Sequence, residues 1–208
     1  MKTIVCYGDS NTFGSCPLGG RHPYEVRWTG RLQKALGNDY RVIEEGLGGR
    51  TTVFEDEIEL GRNGRTGLPI CLGTHKPIDL LIIMLGTNDL KVRYQLPEWD
   101  LAGGIRALLR LVKSYPFAPE YDPPQILLVS PIEIAEGVSK TFGCFDEGAV
   151  PRSKRMAAVY APVAKEMGVH FLDAAQYAGP SREDRLHMDA EGHAKLAQAL
   201  EKKIREIL

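Results

Sequence analysis

No charge of one sign dominates this sequence: 26 Lys and Arg face 27 Asp and Glu, a net of −1 over 208 residues. Without a broad field of either sign, neither a nucleic acid nor an anionic membrane surface is an expected partner. Long apolar runs are missing too. The longest, Leu80–Leu85, falls far short of the ~20 residues that cross a bilayer. The four cysteines, Cys6, Cys16, Cys71 and Cys144, stand apart from one another, without the close pairs of a zinc site or a disulfide-dense secreted scaffold. Cys6 and Cys71 read as small buried hydrophobes. No secretory-type leader precedes the first apolar run, so a cytoplasmic location is expected. Repeats and low-complexity tracts are also lacking. With 43% hydrophobic and 25% charged residues, the composition is that of one globular domain over residues 1–208 with a sizeable core.

What the sequence does contain is an alternation. Apolar runs of strand length occur at Thr3–Tyr7, Arg41–Glu45, Leu80–Leu85, Ile126–Ser130 and Val169–Asp173. Between and after them, Arg27–Leu36, Leu68–His75, Glu98–Ser114, Pro151–Met167 and Ala190–Ile207 repeat apolar residues at spacings of three and four, as helices do. Strands alternating with helices predict an α/β fold with a parallel sheet. The third and fourth runs are almost continuously Leu, Ile and Val, as suits central strands covered on both faces, so a three-layer α/β/α sandwich is expected. Gly37 and Gly168 suit helix ends, and Asp189 suits a helix start. Segments 15–26, 53–67 and 131–149 carry Gly, Pro and charge without a period and read as loops. Two of them follow the second and fourth strands and one follows the first, so all three would rim a site at the carboxyl edge of the sheet.

Four short segments fall at the ends of apolar runs: Gly8-Asp9-Ser10, Gly46-Leu47-Gly48-Gly49, Gly86-Thr87-Asn88-Asp89 and Asp184-Arg185-Leu186-His187. Acyl transfer to a hydroxyl needs a nucleophile, a base, a carboxylate that orients the base, and donors for the developing oxyanion. One candidate exists for each. Ser10 is the candidate nucleophile, His187 the general base and then acid, and Asp184 the carboxylate that holds the imidazole tautomer. The backbone N–H groups of Ser10 and Gly49 and the side-chain amide of Asn88 are the candidate oxyanion hole. The order Ser, Asp, His matches that of α/β-hydrolases, but Thr12 stands where the second glycine of a Gly-x-Ser-x-Gly elbow belongs, which disfavours that fold.

Gly8-Asp9-Ser10, Gly49, Gly86-Thr87-Asn88-Asp89 and Asp184 through His187 resemble the four blocks of the SGNH, or GDSL, hydrolase superfamily. The resemblance covers Val5 to His187. It implies a flavodoxin-like five-stranded parallel sheet in the order 2-1-3-4-5, the SGNH hydrolase fold, and ester or thioester hydrolysis through an acyl-enzyme with no metal or other cofactor. Val26-Arg27-Trp28-Thr29-Gly30, Glu44-Glu45-Gly46-Leu47 and Ile82 to Asp89 are most similar to its bacterial arylesterase/acyltransferase branch. That branch implies a small-molecule ester as substrate, acyl transfer to alcohols beside hydrolysis, and a homo-oligomer, an octamer where the branch is followed closely.

The expected activity is therefore a serine esterase acting on short-chain aryl or alkyl esters. The same triad serves a carbohydrate O-deacetylase or a thioesterase, and a flavodoxin-like binding module without turnover is the reading from another class. Asp9, Phe13, Trp28 and Gly48 are candidate substrate contacts, with core packing an equal reading for Trp28 and turn bonding for Asp9. Asp89 is expected to tie its own loop, and Arg50 and Lys91 to be solvated. His193 is expected to be structural or solvent-facing. His187, Asp189 and His193 form a conceivable metal set that no further ligand supports, so no metal is expected. His22, His75 and His170 have no partner identifiable in sequence.

Overall fold

The computed structural model describes residues 1–208. Five parallel strands, β1 (Lys2–Gly8), β2 (Tyr40–Gly46), β3 (Leu80–Met84), β4 (Gln125–Ser130) and β5 (His170–Asp173), form one sheet in the order β2-β1-β3-β4-β5. This is the expected topology. All five residues of β3, Leu-Leu-Ile-Ile-Met, are buried, because both faces of this central strand are covered and alternation would serve no purpose there.

Six helices accompany the sheet: α1 (Ser10–Phe13), α2 (Trp28–Leu36), α3 (Gly64–His75), α4 (Glu98–Ser114), α5 (Ala149–Met167) and α6 (Ala190–Ile207). The strand pleat divides the core between them. Val5, Tyr7, Leu81 and Ile83 pack with Leu72 of α3, Ile105 of α4 and Tyr160 of α5. Ile4, Cys6, Leu80 and Ile82 point the other way, toward Trp28 and Leu32 of α2 and Leu200 of α6. Burying each such side chain contributes about 1.5–3 kcal/mol, which makes the two apolar layers the main source of stability. No helix is long and apolar enough to cross a membrane.

Helix ends follow the sequence signals closely. Asp189 caps α6 by accepting the Gly192 N–H at 2.8 Å, and Gly37 and Gly168 end α2 and α5 with positive φ. Two elements differ from expectation. The helix expected at Leu68 begins at Gly64, inside the segment read as loop, because Asn63 caps it through the Arg65 N–H at 3.0 Å. The turn after β1 closes into the single-turn helix α1, too short for a period to be visible. In this strand order the chain leaves β1 toward β2 on one side and later resumes at β3 on the other. The loops after β1 and β3 therefore diverge and open a crevice at the carboxyl edge.

Candidate active site

The end of β1 is built so that a serine stands at the start of a tight turn. A Cβ on Gly8 would lie 2.1 Å from the Thr12 hydroxyl oxygen and 2.9 Å from the Met84 carbonyl oxygen, so only glycine fits between β1, α1 and β3. Asp9 then caps α1, accepting the Asn11 N–H at 2.9 Å, and Gly14 at φ 85° closes the turn with its N–H on the Ser10 carbonyl. Ser10 is the first residue of that helix, so its own N–H is free of intrahelical bonding.

The segment from Ser181 to His187 is a compact turn that bonds mostly to itself. The Ser181 N–H donates to the His187 carbonyl at 2.8 Å, and the Arg185 N–H to the Ser181 carbonyl at 3.0 Å. Arg185 adopts φ 66° to make the turn. Within it, Asp184 Oδ1 accepts the N–H groups of Leu186 at 3.0 Å and His187 at 2.9 Å. Its other oxygen, Oδ2, accepts from His187 Nδ1 at 2.6 Å. Burial alone would raise the Asp184 carboxyl, but the imidazole and the two backbone donors outweigh it and hold the group below the usual carboxylate range. An ionised acceptor at Nδ1 fixes the proton there and leaves Nε2 with the lone pair. Phe142, from the loop after β4, packs its edge against the imidazole at 5.6 Å between centroids and 85° between planes.

These two segments lie more than 170 residues apart in the chain, and Asn11 joins them. Its Oδ1 accepts the Met188 N–H at 3.0 Å, and its Nδ2 donates to the Leu186 carbonyl at 3.3 Å. The side chain next to Ser10 thus grips the backbone on both sides of His187. Sequence reasoning assigned Asn11 no role; its place directly after Ser10 in the first motif was the available signal.

Ser10, Gly48, Gly49, Asn88, Phe142 and His187 all face one cavity of about 220 Å³ at the carboxyl edge. Gly49 sits at φ 78°, a conformation glycine adopts without strain. Asn88 lies in a 3-10 turn, Thr87–Leu90, and its Nδ2 donates to the Arg50 carbonyl at 3.1 Å. One amide hydrogen of Asn88 is thereby used to register its loop against the Gly49–Arg50 loop, leaving the second for another acceptor. The Ser10 and Gly49 backbone and the Asn88 amide come from the loops after β1, β2 and β3 respectively. The arrangement offers a hydroxyl, an oriented imidazole and hydrogen-bond donors around one small volume, the set that acyl transfer requires.

Other expected residues are placed differently. Trp28 is 1% exposed in the core and donates its indole N–H to the Asn11 carbonyl at 3.1 Å, so of its two readings the structure gives packing. Phe13 lies under the Arg21 guanidinium at 4.1 Å, and Asp9 is buried beneath the turn; neither lines the cavity. Burial pushes the Asp9 carboxyl up to about 6 against the opposing pull of the Asn11 N–H and the His187 imidazole. Asp89 ties not its own loop but the preceding one, accepting the Thr52 N–H at 3.0 Å and the Thr52 hydroxyl.

Arg50 and Lys91, expected to be solvated, are buried. The Arg50 guanidinium lies 4.1 Å above the Tyr7 ring and donates to the Gly8 carbonyl at 2.8 Å, trading water for a π face and strand-end carbonyls. The Lys91 ammonium is held by Asp56 at 3.3 Å and Glu59 at 3.1 Å, and Lys91 and Glu59 both reach the cavity wall. Neither partner was identifiable, because both come from the aperiodic loop after β2.

The side chains of His22, His75 and His193 have partners. His193 is fully buried, accepts the Trp28 N–H at Nδ1 at 3.2 Å and packs edge-on against His22 at 5.1 Å. Burial and the neighbouring His22 hold it down to about 3, a neutral structural ring. With His187 bonded to Asp184, Asp189 capping α6 and His193 serving α2, the conceivable metal set is spent on separate tasks.

Comparison with known proteins gives a consistent picture. The model of the GDSL-like lipase/acylhydrolase family matches residues 6–195. The native aryl esterase of M. smegmatis superposes with a TM-score of 0.95 at 37% identity, covering 100% of both chains. A carbohydrate acetylesterase from Sinorhizobium meliloti gives 0.95 at 34% identity, again over 100% of both chains. A lipase/acylhydrolase from Enterococcus faecalis, at 19% identity and 0.71 over 99% of this chain and 96% of that one, shares the fold. Among curated proteins none matches.

Proposed function

Because the chain belongs to the GDSL-like lipase/acylhydrolase family, whose model spans residues 6–195, we propose that it is a serine esterase that hydrolyses short-chain carboxylic esters through an acyl-enzyme. The observation that carries this reading is the 2.6 Å Asp184–His187 bond on the wall of a cavity shared with Ser10, Gly49 and Asn88.

In this reading His187 Nε2 takes the Ser10 hydroxyl proton as the oxygen bonds to the ester carbonyl carbon. Negative charge then develops on the former carbonyl oxygen, where the Ser10 and Gly49 N–H groups and the Asn88 amide receive it. Each such donor is worth roughly 3 kcal/mol in acyl transfer generally. Collapse breaks the bond to the alkoxy group, and the proton on Nε2 passes to the departing alcohol. Water repeats the sequence: His187 takes its proton, the hydroxide oxygen attacks the acyl carbon, and the acid leaves as Ser10 recovers its hydrogen. Asp184 keeps its charge throughout and stabilises the imidazolium between the two transfers. A cavity of about 220 Å³ favours acetyl-sized over long acyl chains, and an alcohol bound in place of water would give acyl transfer.

A fluorophosphonate is expected to label Ser10 stoichiometrically, and Ser10→Ala to abolish p-nitrophenyl acetate turnover. Full turnover by Ser10→Ala rejects the proposal. A second reading, deacetylation of carbohydrates, is favoured by the polar Lys91 and Glu59 on the cavity wall and by the similarity to a carbohydrate acetylesterase. Comparing kcat/KM for acetylated sugars, acyl-CoA and aryl acetates, with and without added alcohol, separates the two readings and measures transfer.

A further inference from the structure

On the flank of the sheet, away from the cavity walls, edge strand β2 and helix α3 bring a carboxylate, a thiol and an imidazole together. Cys71 and His75 are four residues apart on α3 and so share one helix face. Glu45 lies at the end of β2, in register with Tyr7. Glu45 Oε1 and His75 Nε2 are 2.6 Å apart, and one ligand atom from each of Glu45, Cys71 and His75 falls within 4.8 Å of the others. We propose that these three side chains form a binding site for a divalent transition metal of the zinc type, pinning α3 to the edge of the sheet.

The donor set suits that metal class. Thiolate, imidazole and carboxylate are the three side-chain ligands zinc accepts, whereas magnesium and calcium select oxygen alone. Ligand bonds of about 2.0–2.3 Å in a tetrahedron place donor atoms about 3.5 Å apart. The Glu45–His75 contact would then open by about an ångström while the thiol draws closer, movements available to side chains that are not packed on all sides. Glu45 and His75 keep side-chain exposures of 31% and 17%, so an ion can enter from solvent, while Cys71 at 5% forms the floor.

Charge balances as well. A thiol ligates a zinc-type ion as the thiolate, so Cys71 must give up its proton. Binding releases that proton to solvent, and thiolate plus carboxylate then neutralise the dication. The nearest competing cation, Arg50, is directed elsewhere: it donates to the backbone carbonyls of Gly8 and Glu45 and leaves the Glu45 carboxylate to His75. Tyr7 is not a fourth ligand, since its hydroxyl donates to the Gly64 carbonyl at 2.7 Å; water completes the set.

The test uses the untagged full chain, stripped with a chelator and dialysed against zinc alone. One zinc per chain is expected, with a higher Tm. Cobalt in its place is expected to give a thiolate charge-transfer band. Cys71→Ser should abolish that band, and His75→Gln and Glu45→Gln, at partly exposed positions, should each weaken zinc binding at least about tenfold. Absence of saturable uptake, a cobalt spectrum without the thiolate band, or affinity unchanged in His75→Gln and Glu45→Gln would each overturn the proposal.

Discussion

The Asp184–His187 pair makes a sharp quantitative demand. In Asp184→Asn the amide oxygen can keep the acceptor role of Oδ1 toward the Leu186 and His187 N–H groups, at 3.0 and 2.9 Å. The amide nitrogen would then occupy the place of Oδ2, 2.6 Å from His187 Nδ1. A donor facing Nδ1 forces that nitrogen to accept and moves the ring proton to Nε2, so the proposed base loses the lone pair that would take the Ser10 proton. The cost for such a swap in serine triads is about 10⁴ in kcat, or about 5.5 kcal/mol at 1.36 kcal/mol per decade. Folding should suffer far less, on the order of 1 kcal/mol, because charge-assisted bonds become neutral ones while the geometry is kept. The assay is kcat on p-nitrophenyl acetate beside a thermal melt of the same preparation. A folded variant within tenfold of the parent would refute the assigned tautomer, and with it the general-base role of His187.

Removing one proposed oxyanion donor tests the neighbouring loops: Asn88→Ala should lower kcat by roughly a hundredfold or more with little change in KM. Loss of binding alone, with kcat intact, would contradict transition-state stabilisation. Asp89 supplies a test by pH. Its carboxyl is fully buried and pushed up to about 6, chiefly by desolvation. A folded value above the unfolded one stabilises the protein below pH ~4, and that contribution is lost as pH rises through about 6, on the order of 3 kcal/mol. The Tm difference between the parent and Asp89→Asn should therefore shift in favour of the variant from pH 4.5 to 7.5, and a shift the other way would sink the argument. Finally, Gly86 has φ 126°, and a Cβ there would meet the Tyr160 hydroxyl at 2.1 Å and Met156 Cε at 2.4 Å. Gly86→Ala should be destabilised by about 2–4 kcal/mol in urea unfolding, and a neutral result would show that α5 can recede.

Much of the fold was legible because its signals are local. The continuous apolar runs of β3 and β4, and the three-and-four spacing of α4 and α6, follow from burial on two faces or on one, and burial leaves a period in the chain. Asp189, Gly37 and Gly168 ended their helices where expected because a cap is a property of a few neighbouring residues. The start of α3 escaped because Asn63 stands in a stretch without a period, where one side-chain bond to Arg65 tips the balance.

Within the site, the sequence by itself determined which chemical groups are present and at which strand ends they stand. A serine after β1, an asparagine after β3 and an Asp-x-x-His turn after β5 are readable because each is short and contiguous. Tertiary structure decided the rest. That Asn11 clamps both sides of His187, that Asp89 reaches back to Thr52, and that Arg50 and Lys91 are buried rather than solvated all depend on partners that lie on other elements of the fold. So does the meeting of Glu45 with Cys71 and His75. Neutralising a buried charge or satisfying a buried amide needs a partner in space, and the identity of that partner is set by how strands and loops pack, not by any pattern local to the residue itself.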